Sequence, residues 1–317
     1  MKIFITRKIS SKAIALLKKE KFKVKVYSKD KPIPRKELIK EVKDADAIIS
    51  LLTEKFDKEL IDKIPNCKII ANVAVGFNNI DINYAKEKNI IVTNTPDVLT
   101  DSTADLAAAL ILACARRLGE GERMVRNKKF KGWKPDLLLG IELKDKILGI
   151  LGAGRIGTET ALRMKAFKTN IIYTSRSRNL TLENEASAER VELDELLRIS
   201  DIISIHVPLN EETHHLLNKE KLKLLKETAV IVNTSRGEII DEKELIKLLK
   251  KRKIYYAGLD VYENEPKINS ELLKLENVVL LPHIGSATEE ARSSMAVLAA
   301  KNVIEVLNGR QALTPVN

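Results

Sequence analysis

Cysteine is scarce in this chain, with two among 317 residues. Cys67 and Cys114 each sit inside an apolar stretch, and neither has a partner at a disulfide or metal spacing. A disulfide framework is thereby excluded, and both read as buried thiols of a reducing cytoplasm. Long hydrophobic runs are also missing: no segment approaches the roughly 20 apolar residues of a membrane helix. The opening "MKIFITRKISSK" never runs more than four residues without a charge, so no secretory leader is expected. Internal repeats and low-complexity segments are absent. Charge is unbalanced, with 55 Lys and Arg against 44 Asp and Glu and a net +11. The lysines are scattered through patterns such as "LLKKEKFKVKVYSKDK", where they alternate with apolar positions. That is the pattern of solvated faces, so neither nucleic acid nor membrane is an expected partner. Abundant Lys, Glu and Ile with few Gly would suit a heat-adapted protein.

What is present is a twofold alternation. The length suggests two domains. Residues 1–99 alternate strand-like runs ("KIFITR", "KVKVYS", "ADAIIS", "CKIIANVAVGF", "IIVTNT") with amphipathic segments. This predicts an α/β unit with a parallel sheet covered by helices on both faces. Residues 101–127 read as one long helix, small and apolar on nearly every side in its first half. The loop after it holds the single tryptophan, Trp133. Residues 146–284 form a second alternating unit with six strand patterns, which matches the doubly wound dinucleotide-binding Rossmann fold. A final helical pattern, "TEEARSSMAVLAAKNVIEVLN", stops at Gly309 and is too long to wrap the second sheet. It is expected to return to the first unit. The predicted domains are therefore 1–99 plus 287–317, a discontinuous flavodoxin-like substrate domain, and 100–286, the cofactor domain.

The stretch "ILGILGAGRIGTETALRMKAFKTNIIYTSRS" carries the most specific local signal. Gly152-Ala153-Gly154-Arg155-Ile156-Gly157 follows a strand pattern and opens a helix pattern, the context a phosphate-binding Gly-x-Gly-x-x-Gly requires. The helix N-terminus would present free N–H groups to a pyrophosphate. The next strand ordinarily ends in an acid that reads the ribose. Here it ends Ser175-Arg176-Ser177, with no acid. Hydroxyls and a guanidinium suit a 2′-phosphate, so NADP is the expected cofactor. NAD with Arg176 stacked on adenine is the alternative.

Polar groups then collect at strand ends, where open parallel sheets bind ligands. Arg236 follows "ETAVIVNTS", Asp260, Glu263 and Glu265 follow "IYYAGL", and His283 follows "NVVLLP". Arg236, Glu265 and His283 form a set suited to reducing a 2-keto acid. Arg236 would hold the carboxylate and polarise the ketone. His283 would donate the proton, and Glu265 would favour and orient the imidazolium. His206, Val207 and Pro208 end the third strand where they would touch the cofactor, and Thr234 and Ser235 would face the nicotinamide ribose. His214 and His215 read as surface residues, and no metal site is expected.

With these residues in place, the chain resembles the D-2-hydroxyacid dehydrogenases, and within them the glyoxylate reductase/hydroxypyruvate reductase branch. The resemblance rests on "VGFNNIDI", "TNTPDVLTDSTADL", "GAGRIG", "VNTSRGEIID", "AGLDVYENEP" and "LPHIGSAT", in order along nearly the whole chain. Ala153 is a departure, since some relatives carry a larger residue there. The resemblance implies that Arg236, Glu265 and His283 are catalytic. It also implies that the first domain closes over substrate, with the backbone of Val75 and Gly76 on the carboxylate and Leu52 and Ser286 lining the pocket. Thr103, Thr213, Asp260 and Gly285 complete the expected cofactor contacts. A homodimer through the cofactor domain is implied, with the helix near Thr103 in the interface. Trp133 either enters the partner subunit's active site or anchors its loop within its own subunit. The alternatives are a phosphoglycerate or D-lactate dehydrogenase, or a non-catalytic NAD-sensing protein like the C-terminal-binding-protein corepressors. Phosphoglycerate enzymes commonly carry a C-terminal extension and the corepressors flexible partner-binding segments, neither of which is seen before Asn317, and D-lactate enzymes differ around "TPDVLTDSTAD".

Overall fold

Apolar runs of the length of single strands, separated by amphipathic stretches, build two parallel sheets. A computed structural model describes residues 1–317, which divide into two units, Met1–Leu99 with Ser286–Asn317, and Thr100–Gly285. Ser286 falls with the first unit, one residue away from the boundary expected from the sequence.

The first unit holds β1 (Lys2–Ile5), β2 (Lys23–Val26), β3 (Ala47–Ser50), β4 (Ile69–Asn72) and β5 (Ile91–Thr93). They pair in the order β2-β1-β3-β4-β5, all parallel, the flavodoxin-like order. Every residue of β3 and β4 is buried, which is why both read as unbroken apolar runs rather than alternating ones. The helix Glu289–Leu307 packs on β3, β4 and the helix Ser11–Lys19. The small buried residues Ala291, Ala296, Ala299 and Ala300 permit this close packing. Its start is capped by the Thr288 hydroxyl, which accepts from the Ala291 amide at 3.1 Å. Its end is a Schellman turn: Gly309, at φ +76°, donates to Val306 at 3.1 Å, and Arg310 donates to Glu305 at 2.9 Å.

The second unit holds β6 (Ile147–Leu151), β7 (Asn170–Thr174), β8 (Glu189–Arg190), β9 (Ile202–Ile205), β10 (Val230–Asn233), β11 (Tyr256–Leu259) and β12 (Val278–Leu280). The order is β12-β11-β10-β9-β6-β7-β8, again all parallel. The sequence predicted six strands; β8 is the seventh, two exposed charged residues that carry no apolar signal. The order reverses between β6 and β9, the switch point where doubly wound sheets bind ligands.

The helix expected over residues 101–127 is two helices, Thr100–Ala115 and Leu118–Arg126. The break has a tertiary cause. The Ala115 carbonyl accepts from the Ile141 amide at 2.9 Å instead of from the next helical turn. Gly140 makes this approach feasible, since a Cβ there would lie 2.3 Å from the Ala115 oxygen. Arg117 takes the left-handed conformation at φ +53° and folds its guanidinium onto Glu120 at 2.9 and 2.7 Å. No helix is long and apolar enough to cross a membrane. Cys67 and Cys114 are both buried and unpaired, and burial pushes the Cys67 thiol up to about 12.

Candidate active site

The carboxyl ends of β6 to β12 deliver the candidate residues of the second unit. After β6 the chain turns at Gly152, at φ +99°, where a Cβ would meet the Val207 amide nitrogen at 2.7 Å. A Cβ at Gly157 would lie 2.2 Å from the Gly152 oxygen, so only glycine lets the helix Arg155–Lys165 sit this close to the turn. Gly154 faces open space, with nothing within 4 Å of a Cβ there. No side chain caps the helix that Arg155 and Ile156 begin, so its first N–H groups are left for a ligand. Asn179, which sequence reasoning missed, braces this turn. Its Nδ2 donates to the carbonyl of half-buried Ala153 at 2.9 Å and to the Thr158 hydroxyl at 2.7 Å.

At the end of β7, Ser175 donates its hydroxyl to the Ser177 carbonyl, and Arg176 and Ser177 are exposed. Arg190 of β8 grips the Ser175 carbonyl through Nε at 3.2 Å and Nη2 at 2.9 Å. Arg178 is turned onto Glu183, bonding through Nε at 3.1 and 3.2 Å. The cation presented at this strand end is therefore Arg176.

After β9, His206 Nε2 pairs with the Ser204 hydroxyl at 2.8 Å. Burial pushes its pKa down to about 3, so it is neutral and no source of a proton near neutrality. The Val207 carbonyl accepts the Ser235 hydroxyl. Thr213, expected to contact the cofactor, spends its hydroxyl on its own turn, donating to the Pro208 carbonyl at 2.6 Å and accepting from the Asn210 amide at 2.8 Å.

The turn after β10 is organised by Asn233, a fully buried residue not singled out from the sequence. Its oxygen accepts from the Ser235 amide at 3.0 Å, and its Nδ2 donates to the Arg236 carbonyl at 2.7 Å. A buried Asn closing the otherwise apolar run "VIVN" was the available signal. Thr234 Oγ1 is buried with no partner, an orphan hydroxyl. The open flank at Gly154, the uncapped helix and this orphan hydroxyl fit a dinucleotide spanning β6 to β10.

The loops after β10, β11 and β12 converge. A Cβ at Gly237 would lie 1.9 Å from the carbonyl carbon of Tyr262, so the residue after Arg236 packs directly on the loop that carries Glu265. Arg236 is half-buried; burial lowers its pKa from the usual guanidinium value, while the charges of Glu265 and Glu238 oppose that. Its Nη1 donates to the Ser235 carbonyl at 2.7 Å. Glu265 Oε2 lies 2.7 Å from His283 Nδ1, and Glu265 Oε1 accepts the Tyr262 amide at 3.0 Å.

His283 itself sits at φ +56°, a region that non-glycine residues occupy only when the surroundings hold them there. The holding groups are visible. Asp260, fully buried, accepts the Ile284 amide on one oxygen and the Gly285 amide on the other, each at 2.7 Å. The Tyr262 hydroxyl donates to the Leu281 carbonyl at 2.8 Å. Buried Thr103 packs beside Gly285 and Asp260, 3.3 Å from where a Gly285 Cβ would sit. Burial raises the Asp260 carboxyl, against the two amides and His283, which lower it.

Burial also works to raise Glu265, but the hydrogen bond and charge of His283, the Tyr262 amide and Arg236 outweigh it and hold the carboxyl below its ordinary value. A depressed folded-state pKa makes the stabilising contribution complete above the unfolded value of roughly 4.3 and lost as pH falls through the lower folded value. Melting temperatures from neutral to acid pH should therefore show the wild type's advantage over Glu265→Gln shrinking as pH drops below about 4. An advantage that persisted unchanged at the acid end would show that the charge of Glu265 is not what is stabilised.

Three expectations need correction. His215 is not a plain surface residue: it is half-buried and bonded through Nε2 to Glu263 at 2.8 Å, with exposed His214 stacked on it. Trp133 is 82% exposed, so it is no anchor within its own subunit. The single helix over 101–127 is broken after Ala115. In the first unit, Leu52 follows β3, and Val75 and Gly76 follow β4; all three are half-buried, as is Ser286.

Comparison with known proteins places this geometry. Residues 108–285 match the family described as D-isomer specific 2-hydroxyacid dehydrogenase, NAD binding domain. The chain is 49% identical to a glyoxylate reductase of Pyrococcus horikoshii, over 100% of this chain and 96% of that protein. A solved structure of a Thermus thermophilus protein superposes with a TM-score of 0.94 at 39% identity, covering 100% of both chains. An NADPH-dependent glyoxylate/hydroxypyruvate reductase from Sinorhizobium meliloti, solved with NADP and malonate, superposes with a TM-score of 0.86 at 31% identity over 99% of this chain and 96% of that one. A dinucleotide cradle followed by a His–Glu pair beside an arginine, on a chain with these relatives, identifies a nicotinamide-dependent dehydrogenase: the chain belongs to the D-isomer specific 2-hydroxyacid dehydrogenase family.

Proposed function

We propose that the protein reduces glyoxylate, and hydroxypyruvate beside it, to the corresponding 2-hydroxy acid with NADPH as the reductant. The observation that carries this reading is the 2.7 Å pair of His283 and Glu265 at strand ends next to Arg236. The bound reduced nicotinamide supplies the hydride. The Arg236 guanidinium holds the substrate carboxylate and draws electron density from the ketone. With Nδ1 committed to Glu265, His283 has Nε2 left to hand a proton to the carbonyl oxygen. Thr234, through its orphan hydroxyl, and Gly154, through its open flank, hold the cofactor. Thr103, Gly285, His206, Val207 and Pro208 border it, and Leu52, Val75, Gly76 and Ser286 serve the substrate. Residues 100–285 are then the cofactor domain and the remainder the substrate domain.

NADPH over NADH is supported by exposed Arg176 at the end of β7 and by the absence of an acid there. Arg176→Asp should weaken NADPH by about tenfold or more, since it replaces a charge-assisted bond with a repulsion, and should cost NADH far less. Fluorescence titration of both nucleotides checks this; equal losses would overturn the 2′-phosphate assignment.

A homodimer through the cofactor domain is supported by the exposed apolar residues Leu118 (56%), Val125 (63%), Phe130 (53%), Trp133 (82%) and Leu139 (63%), an unusual concentration in one stretch of chain. Trp133 in this reading projects toward the partner subunit. The two buried free thiols suit a cytoplasmic setting. Steady-state rates with glyoxylate, hydroxypyruvate and pyruvate against both nucleotides test the whole reading. It holds if glyoxylate with NADPH gives the highest kcat/KM and falls if pyruvate does.

A further inference from the structure

Past β3, β4 and β5 the first unit carries a polar network that the proposed chemistry leaves unused. Asn79 is one node. Its Nδ2 donates to the Leu51 carbonyl at 3.2 Å and the Glu54 carbonyl at 3.0 Å, and its Oδ1 accepts from Asn72 at 3.2 Å. Asn72, fully buried at the end of β4, also donates to the Gly76 carbonyl at 3.0 Å and accepts the Ser50 hydroxyl at 3.1 Å. Asn94, just after β5, donates to the Val75 carbonyl at 2.9 Å. Glu54, 3% exposed, closes the network by accepting the Leu51 amide at 3.0 Å and the Thr6 hydroxyl at 2.7 Å.

Side-chain amides hold the backbone carbonyls of Leu51, Glu54, Val75 and Gly76. In a planar trans peptide the N–H points opposite to the C=O of the same unit. Holding the Leu51 carbonyl therefore aims the Leu52 N–H away from Asn79, and holding the Val75 carbonyl aims the Gly76 N–H away from Asn94. Neither N–H donates to a backbone carbonyl of the fold. Two donors at adjacent strand ends are thus turned away from the network and fixed in place, an arrangement suited to a carboxylate.

We infer that Asn79 and Asn94 are positioning residues that aim the Leu52 and Gly76 N–H groups at the carboxylate of the keto acid. The inference rests on the reading that the loops after β3 and β4 serve the substrate. Donors fixed before the ligand arrives bind substrate and transition state alike, so their loss appears in KM rather than kcat.

The test is steady-state kinetics of Asn79→Ala and Asn94→Ala with glyoxylate, alongside NADPH titration and melting temperature. Gly76→Pro, which removes the N–H itself, is the reference. Each alanine variant is expected to raise the glyoxylate KM roughly tenfold, the loss of about one well-made hydrogen bond, with kcat within about a factor of two and NADPH affinity unchanged. A lowered melting temperature with unchanged KM in both alanine variants, while Gly76→Pro raises KM, would overturn the positioning role and leave the substrate loops standing. An unchanged KM in Gly76→Pro would remove the substrate reading, and the inference with it. The Asn94 side chain holds one carbonyl where Asn79 holds two, so its variant carries the test if Asn79→Ala fails to fold.

Discussion

His283→Ala is expected to lower kcat for glyoxylate reduction by about 10²–10⁴, the range that a positioned general acid contributes. NADPH affinity should change little, because the cradle at Gly152–Gly157 lies on a different loop. The size of the effect follows from how completely the fold commits this side chain. The backbone is held in the left-handed region at φ +56° by the two amide bonds to Asp260, while Nδ1 is committed to Glu265 at 2.7 Å. The other histidines are placed differently: His206 is kept neutral by burial with its pKa pushed down to about 3, and His214 and His215 stack on each other in the turn that begins at Asn210. Asp260→Asn should reproduce part of the loss without touching the imidazole, since it frees the loop that aims it. Single-turnover oxidation of bound NADPH separates this chemical step from binding.

Arg236→Ala is expected to cost about 10²–10³ in kcat/KM, the loss of a charge-assisted contact to both carboxylate and developing oxyanion. Arg236→Lys should recover only part of it, because an ammonium keeps the charge but not the planar fork. The supporting geometry is local. Asn233 fixes the turn through the Ser235 amide and the Arg236 carbonyl, and Gly237 packs against the Tyr262 backbone. NADPH should still bind the alanine variant. Full activity in that variant would show that the carboxylate is held elsewhere.

Much of this architecture was legible in the residues. Apolar runs of strand length alternating with amphipathic segments marked both parallel sheets, because a strand buried on both faces needs no alternation. Glycine at 152 and 157 was readable because no other residue fits the turn and the helix approach found there. Arg236, Glu265 and His283 stood out because each follows an apolar run that ends where a sheet takes its ligand. What escaped was set by contacts distant in sequence. The helix ends at Ala115 because Ile141, well downstream, takes its carbonyl, and nothing in "LACARRLGEG" announces that. The short strand β8 exists only because β7 offers an edge to two charged residues. Asp260 carries a second task that its place in the sequence does not reveal: its two oxygens hold the loop after His283. Asn72, Asn79, Asn94, Asn179 and Asn233 carry no motif that singles them out, yet each directs its amide onto backbone beside a proposed site.

The most direct test of the central claim is the absorbance of reduced nicotinamide followed while wild-type protein, saturated with NADPH, receives glyoxylate. A decay matched mole for mole by glycolate formation is the result this account predicts. Tight NADPH binding with no decay on adding glyoxylate or hydroxypyruvate would contradict it.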